Sequence, residues 1–240
     1  MSWRKCKPCL GIIHRWGLGA PPSLFNFQLR EGQLLREFIE EEPRDAGKNE
    51  YLRIINTGTI GKFVSKWGQR EMVYLGCRFV KPVVNKRRFL AAFHNTYGRK
   101  AVKPKLVVKG LNLLDACLDA DGTTIPGKTT LIITSDGSDK LMFLLAIINS
   151  SVAFFYLREK YPASSYNQGT TFTKEMVNDL PIPHVATNDR SKLASLVERI
   201  INIRRANPVA DVTALEHQMN DIVAVLYGLT PLEMQVVDHA

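Results

Sequence analysis

The sequence predicts an α+β fold, on three observations. Short β-prone pieces follow one another between residues 51 and 134. A long apolar run over residues 141–157 then reads as one buried helix. Two further segments with apolar residues at helical spacing, joined by a short link, close the chain as an αα-hairpin.

Taken in order, residues 1–22 look irregular and end in Gly17-Leu-Gly-Ala-Pro-Pro22. Residues 29–42 are expected to form a short helix, with Leu34, Leu35, Phe38 and Ile39 apolar and Pro43 stopping it. The texture then changes to β. Tyr51-Leu-Arg-Ile-Ile55 is strand-like, Asn56-Thr-Gly58 is a turn, and strand-like pieces follow at 62–65, 72–75, 79–84 and 106–109. Residues 129–134 form another strand by their β-branched content, bounded by Gly127 and Asp136-Gly137. The apolar run 141–157 carries Asn149-Ser150-Ser151 at its centre and is short for a bilayer, which favours a buried core helix over a membrane span. A polar loop, Ala163-Ser-Ser-Tyr-Asn-Gln-Gly-Thr-Thr171, leads to a short amphipathic turn at 173–179 and to Leu180-Pro-Ile-Pro183. The first closing helix, 190–206, places Leu193, Leu196, Val197, Ile200 and Ile201 on one face, and Asn207-Pro208 ends it. The second is capped near Asp211 or Thr213, repeats Leu215, Met219, Ile222, Val223 and Leu226, and stops at Gly228. Thr230-Pro-Leu-Glu233 is a capping box with proline at the first helical position. The expected division is an N-terminal extension with a short helix (1–48), a β-rich region with one buried helix (49–185) and the α-hairpin (186–240).

With 45% hydrophobic and 23% charged residues, the 240-residue chain has the composition of a soluble globular protein able to bury a sizeable core. Cys6, Cys9, Cys77 and Cys117 show no disulfide spacing, and the first twenty residues offer no apolar signal-peptide core, so a cytoplasmic setting is expected. The net charge of +9 is unevenly spread. Residues 48–109 hold 15 Lys and Arg against only Glu50 and Glu71. Charge runs are usually solvated surface, but so few balancing acids point to a polyanion, because neutralising phosphates releases counterions whether or not bases are read.

Gly122, four residues, Gly127, Lys128 and Thr129 satisfy the phosphate-loop spacing. A phosphate loop works because its glycine turn runs into a helix whose free N–H groups face the anion. Here a β-branched run follows instead, so Gly122 and Gly127 read as turn residues around Pro126. Catalytic arrangements are absent from the pattern. The five histidines are scattered, and Asp119 and Asp121 lie in an expected turn.

A DNA reader needs cations for phosphates and planar or polar groups for base edges. Lys62, Lys66, Trp67, Gln69 and Arg70 supply that mixture, as do Lys86, Arg87, Arg88, Asn95, Arg99 and Lys100. Ser165, Asn167 and Gln168 add short polar groups on an expected loop. These residues are the candidate DNA-binding set.

Five segments in order also carry a resemblance. They are residues 49–84, Lys103-Pro-Lys-Leu-Val-Val-Lys109, Leu144-Leu-Ala-Ile-Ile-Asn-Ser150, Leu180-Pro-Ile-Pro183 and residues 215–233. Together they resemble the TaqI-like C-terminal specificity domain, the target-recognition part of type II restriction-modification N6-adenine DNA methyltransferases. The resemblance covers roughly residues 49–238. It implies a twisted β-rich domain with a C-terminal α-hairpin that reads duplex DNA while a separate catalytic domain or subunit methylates. Such a catalytic domain carries a glycine-rich S-adenosylmethionine loop and an [NDS]-P-P-[YF] motif. The nearest segments here, Ala20-Pro-Pro-Ser23 and Asn207-Pro-Val-Ala210, lack the needed groups. The chain is therefore expected to bind double-stranded DNA, to hold no cofactor and not to be an enzyme by itself. The alternatives are a scaffold docking a methyltransferase subunit and, at greater distance, a phosphate-loop nucleotide binder.

Overall fold

The computed structural model describes residues 24–26, 37–47, 49–74, 76–94, 96–127, 130–135, 137–162, 165–166 and 169–239. The fold is α+β. In chain order its elements are β1 (Leu24–Asn26), β2 (Ile39–Glu41), β3 (Tyr51–Ile55), β4 (Met72–Tyr74), β5 (Cys77–Phe79), β6 (Pro82–Asn85), α1 (Lys86–Ala92), α2 (Thr96–Ala101), β7 (Lys105–Lys109), β8 (Ala116–Asp119), β9 (Thr124–Pro126), β10 (Thr130–Ile133), α3 (Ser138–Ile148), α4 (Ser151–Lys160), β11 (Ser165–Tyr166), β12 (Gly169–Thr170), α5 (Lys174–Asn178), α6 (Thr187–Ala206), α7 (Thr213–Leu226) and α8 (Pro231–Asp238).

A central four-stranded antiparallel sheet runs β1-β10-β7-β8. Side chains alternate across a strand, so β7 with Leu106, Val107 and Val108 all fully buried must be covered on both faces. Leu106, Val108, Leu131 and Ile133 face the helices, packing with Leu145 and Val197. Val107, Cys117 and Ile132 face a second sheet, β2-β6-β3-β9, and pack with Leu52, Ile54, Val84, Phe89 and Ile125. The described residues thus form three layers: sheet, sheet, helices. In the second sheet β9 runs parallel to β3, and the other pairs are antiparallel. Two small ribbons, β4-β5 and β11-β12, stand outside both sheets.

A buried ion pair ties the two sheets to α2. Lys105 and Asp119 lie opposite each other in the β7-β8 register and pair with 0% and 5% of their side chains exposed. The Lys105 ammonium also donates to Ala101 O at 2.7 Å, at the C-terminal end of α2, where a cation complements the helix dipole. The Asp119 carboxylate accepts from the Thr123 and Thr124 N–H groups, each at 3.0 Å, which sets the turn into β9. Asp119 is thus a buried strand residue, not the turn residue the sequence suggested. Gly122 in that turn has φ +63, and a Cβ there would lie 2.2 Å from Val102 O.

Other expectations need correcting. The single helix over 141–157 is two helices bent by 62°. Hydrophobic periodicity runs through the break, but Asn149 turns its amide to the edge of the central sheet. It accepts from Ala116 N at 2.8 Å and donates to Ala116 O at 3.0 Å, while Ser150 caps α4 through Ala153 N. No single helix among the described residues is long and apolar enough to cross a membrane. The helix expected over 29–42 ends instead in strand β2, paired Ile39 to Val84; residues 29–36 lie outside the described residues. The strand expected over 79–84 is two strands. Between them the Val80 and Lys81 N–H groups leave the ladder for the Glu41 carboxylate, at 3.1 and 2.6 Å. Residues 62–65 make only isolated bridges. Pro126 lies in strand β9, not in a turn, and β8, β9, α1 and α2 were not anticipated.

The closing helices follow their pattern. Leu193, Leu196, Val197, Ile200 and Ile201 are buried, and the Thr230–Glu233 capping box forms with Pro231 at the helix start. Asp211 accepts from Thr213 N at 2.9 Å, but the N-cap position of α7 is Val212 and no side chain caps the helix; α7 ends before Gly228, whose φ is +67.

Candidate nucleic-acid interface

The structure divides the candidate cations into two groups. The register fixes this. Lys105 and Asp119 mark one end of the β7-β8 pair, and Lys109 with Asp115 marks the other, four residues or about 13 Å away. In the second sheet Tyr51 and Asn85 lie at the first end, because Thr123 and Thr124 join Asp119 to β9 beside Arg53.

Lys86, Arg87 and Arg88 open α1 at the first end, immediately after β6. Asn85 caps this helix, accepting from Arg88 N at 3.1 Å, so the sequence Asn-Lys-Arg-Arg places three cations in one first turn. Arg87 and Arg88 are exposed, and the Arg88 guanidinium lies 5.3 Å from the Phe38 ring centroid. Lys86 and Arg87 line a cleft of about 630 Å³ with Asn49, Glu50, Asn85 and Leu90. Arg99 is exposed, donating to His94 O at 3.3 Å and Thr96 Oγ1 at 3.2 Å. Lys100 lies near Lys103 and Lys174; partial burial, then these two cations, lower its pKa. Phe89, Phe93 and Tyr97 beneath these helices form an aromatic cluster with centroids 4.9 to 5.6 Å apart. Aromatics among the basic residues are therefore core, and the cations stand above them.

At the other end the chain from Ile60 to Lys66 forms an added edge beside β8. Phe63 donates its N–H to Ala116 O and accepts from Leu118 N, at 2.8 and 3.3 Å. It holds this position, 1% exposed, at φ +71, an unfavourable region for a bulky residue. Lys62 pairs with Glu216 on α7 at 2.5 Å, so its charge is already met. Lys66, Gln69 and Arg70 are exposed in the following turns. Trp67 is a support: its indole N–H donates to Pro82 O at 3.0 Å, and Arg53 and Lys81 sit over its ring at 4.7 and 6.0 Å. Burial raises the Asp115 pKa, while Lys109, Lys62 and Lys66 around it pull the other way.

Asn95, Asn167 and Gln168 lie outside the described residues, and of Ser165 only its backbone in β11 is described. Sequence reading passed over Arg53, Arg78, Lys103 and Lys174. Arg53 had a signal, since it alternates with buried Leu52 and Ile54 and so faces outward from β3. Lys174 had none, because its nearness to Lys100 is tertiary.

Other chemistries find little support. Among the described residues no group of three or more His, Cys, Asp or Glu could hold a metal ion. Gly127 N–H is bonded to Ile55 O at 2.6 Å, and the chain continues as strand β10, so the phosphate-loop spacing offers no helix N-terminus to a phosphate. Lys128 and Thr129 themselves lie outside the described residues.

No protein-family model matches the chain, and no curated protein matches it. Among solved structures, one similar to this chain is that of the Type IIL restriction-modification enzyme MmeI in complex with DNA. The two share 10% identity and a TM-score of 0.45, over 89% of this chain and 32% of that one, so this chain spans about a third of that protein's length.

Proposed function

We propose that this chain is the double-stranded DNA-recognition domain of a restriction-modification N6-adenine methyltransferase of the TaqI-like type II class, acting in the cytoplasm. In this reading it grips phosphates and reads sequence, while a separate catalytic domain or subunit binds S-adenosylmethionine and transfers the methyl group. One observation carries it. Lys66, Arg70, Lys86, Arg87, Arg88 and Lys103 reach solvent from the β-rich region, and none is in a salt bridge with a carboxylate among the described residues. Unpaired cations held on short helices and turns of a rigid sheet support phosphate binding, since gripping a polyanion releases its counterions. The order of the five segments supports the narrower assignment.

A selection from random duplexes, run with and without an added N6-adenine methyltransferase domain, tests the reading. An enriched motif in either arm is expected, and no motif in both would overturn sequence recognition. A scaffold role is favoured by different residues, Val225 and Leu232, which are 74% and 72% exposed on α7 and α8. A scaffold would bind duplexes by charge alone and enrich nothing.

A further inference from the structure

The β4-β5 ribbon takes no part in the two large sheets. One of its faces is anchored: Met72 and Tyr74 are 2% and 8% exposed in the core with Ile55 and Ile125, and Asn56 Nδ2 donates to Val73 O at 3.4 Å. The other face is open. Val73 and Arg78 are directly opposed in the register, so both side chains share that face, and they are 57% and 73% exposed. Val80, just beyond, is 48% exposed. The connection at Gly76 has φ +82 and open space around it, where a Cβ would meet no atom within 4 Å.

We propose that this ribbon enters the major groove of duplex DNA, with Arg78 reading a guanine edge and Val73 packing against an adjacent thymine methyl. The proposal rests on the DNA-recognition reading above and names the element that would read sequence. Three residue pairs make a ribbon about 10 Å long, matched to a groove about 12 Å wide and about 8.5 Å deep that admits a two-stranded ribbon. Arginine is the side chain that meets guanine O6 and N7 in a bidentate pair, and an apolar group suits the thymine methyl. Exposed cations, Lys66 and Arg70, lead into the ribbon where phosphates would run. The acids nearby are already committed. Glu41 holds the Val80 and Lys81 amides and Glu42 pairs with Lys81. Glu71 pairs with Arg78 at 2.8 Å, but both are well exposed, and such a pair is weak enough for a guanine to replace it.

The test compares random-duplex selections on the parent chain, Arg78→Ala, Val73→Ala and an Arg87→Glu/Arg88→Glu control. Arg78 is 73% exposed and pairs with the half-exposed Glu71, so the Arg78→Ala chain should melt like the parent. Its motif should lose roughly tenfold of discrimination at one base pair. Replacing that guanine by 7-deazaguanine should reproduce the loss in the parent and add nothing in Arg78→Ala. The control should weaken all sequences alike and keep the motif. A parent motif retained at every position by both ribbon variants overturns the ribbon assignment and leaves DNA recognition standing. A parent that enriches nothing overturns both.

Discussion

Replacing Asp119 by alanine should be among the most damaging single changes in this chain, and the structure says by how much. Lys105 opposite it is fully buried, and after the change its ammonium keeps only the carbonyls of Ala101 and Lys103, at 2.7 and 3.3 Å. Removing one partner of a buried pair costs about 3–5 kcal/mol, because the other charge is left uncompensated. The Thr123 and Thr124 N–H groups lose their acceptor as well, at about 1 kcal/mol each. Lys105→Met should cost less, since it leaves the carboxylate its two backbone donors and fills the same space. In the Lys105→Met/Asp119→Ala chain no buried ammonium remains, so the double variant should be more stable than Asp119→Ala alone. Burial already pushes the Lys105 ammonium below the usual lysine range, with Asp119 pulling it back, so loss of Asp119 drives that group toward its neutral form. Urea unfolding at neutral pH, with the midpoint and slope compared across the four chains, measures the coupling. An Asp119→Ala cost under about 1 kcal/mol, or additive effects, would refute the claim that this pair pins α2 and the turn into β9.

Two further predictions follow from the polar framework. Asn149→Ala should destabilise by about 2 kcal/mol, because it leaves the buried Ala116 N–H without its acceptor and takes one of two donors from the Ala116 carbonyl, which keeps Phe63 N–H; thermal or urea unfolding checks it. At the base of the 162–171 segment, Tyr161 donates to Asp179, and Lys160 bonds the same carboxylate at 3.2 Å. The Tyr161 bond, helped by Lys160 and opposed by burial, holds the Asp179 carboxyl below its usual 3.8, so the unfolded chain takes up that proton first and stability falls as pH drops below about 4. Burial, then Asp179, push the Tyr161 hydroxyl up to about 12, so the folded chain keeps its proton longer and stability falls between the unfolded value of 10 and about 12. Tyr161→Phe should flatten the alkaline limb of unfolding midpoint against pH, and an unchanged limb would dismiss the contact.

Much of this fold was legible where one rule acts alone. The closing helices carry a strong 3.6-residue period, so their buried faces could be read, and Asn207-Pro208, Gly228 and the Thr230–Glu233 box mark three of their ends; the start of α6 at Thr187, three residues before the expected one, has no side-chain cap to announce it. Strand β7 was legible from an unbroken apolar run. The failures lie where a distant partner overrides local pattern. Ile39–Glu41 looks helical but is claimed by β6, and the apolar run is broken by Asn149 bonding 33 residues back. Charge shows the same limit. The surplus over residues 48–109 was counted as outward-facing, yet Lys105 is buried and Lys62 is matched by Glu216, 154 residues away. A local tally cannot see such partners. What survives is the smaller set of cations in α1, in the 66–70 turns and at Lys103.

The salt dependence of duplex binding tests the central claim most directly. Fluorescence anisotropy of the parent chain, Arg87→Glu/Arg88→Glu and Lys66→Glu/Arg70→Glu, each over a range of salt concentrations on one duplex, gives the slope of log affinity against log salt. If these cations contact phosphates, each pair should weaken binding to every sequence and reduce the slope by about 2, at roughly 0.9 per lost contact. Parent affinity and slope retained in both variants would contradict it, and place any DNA contact elsewhere on the chain.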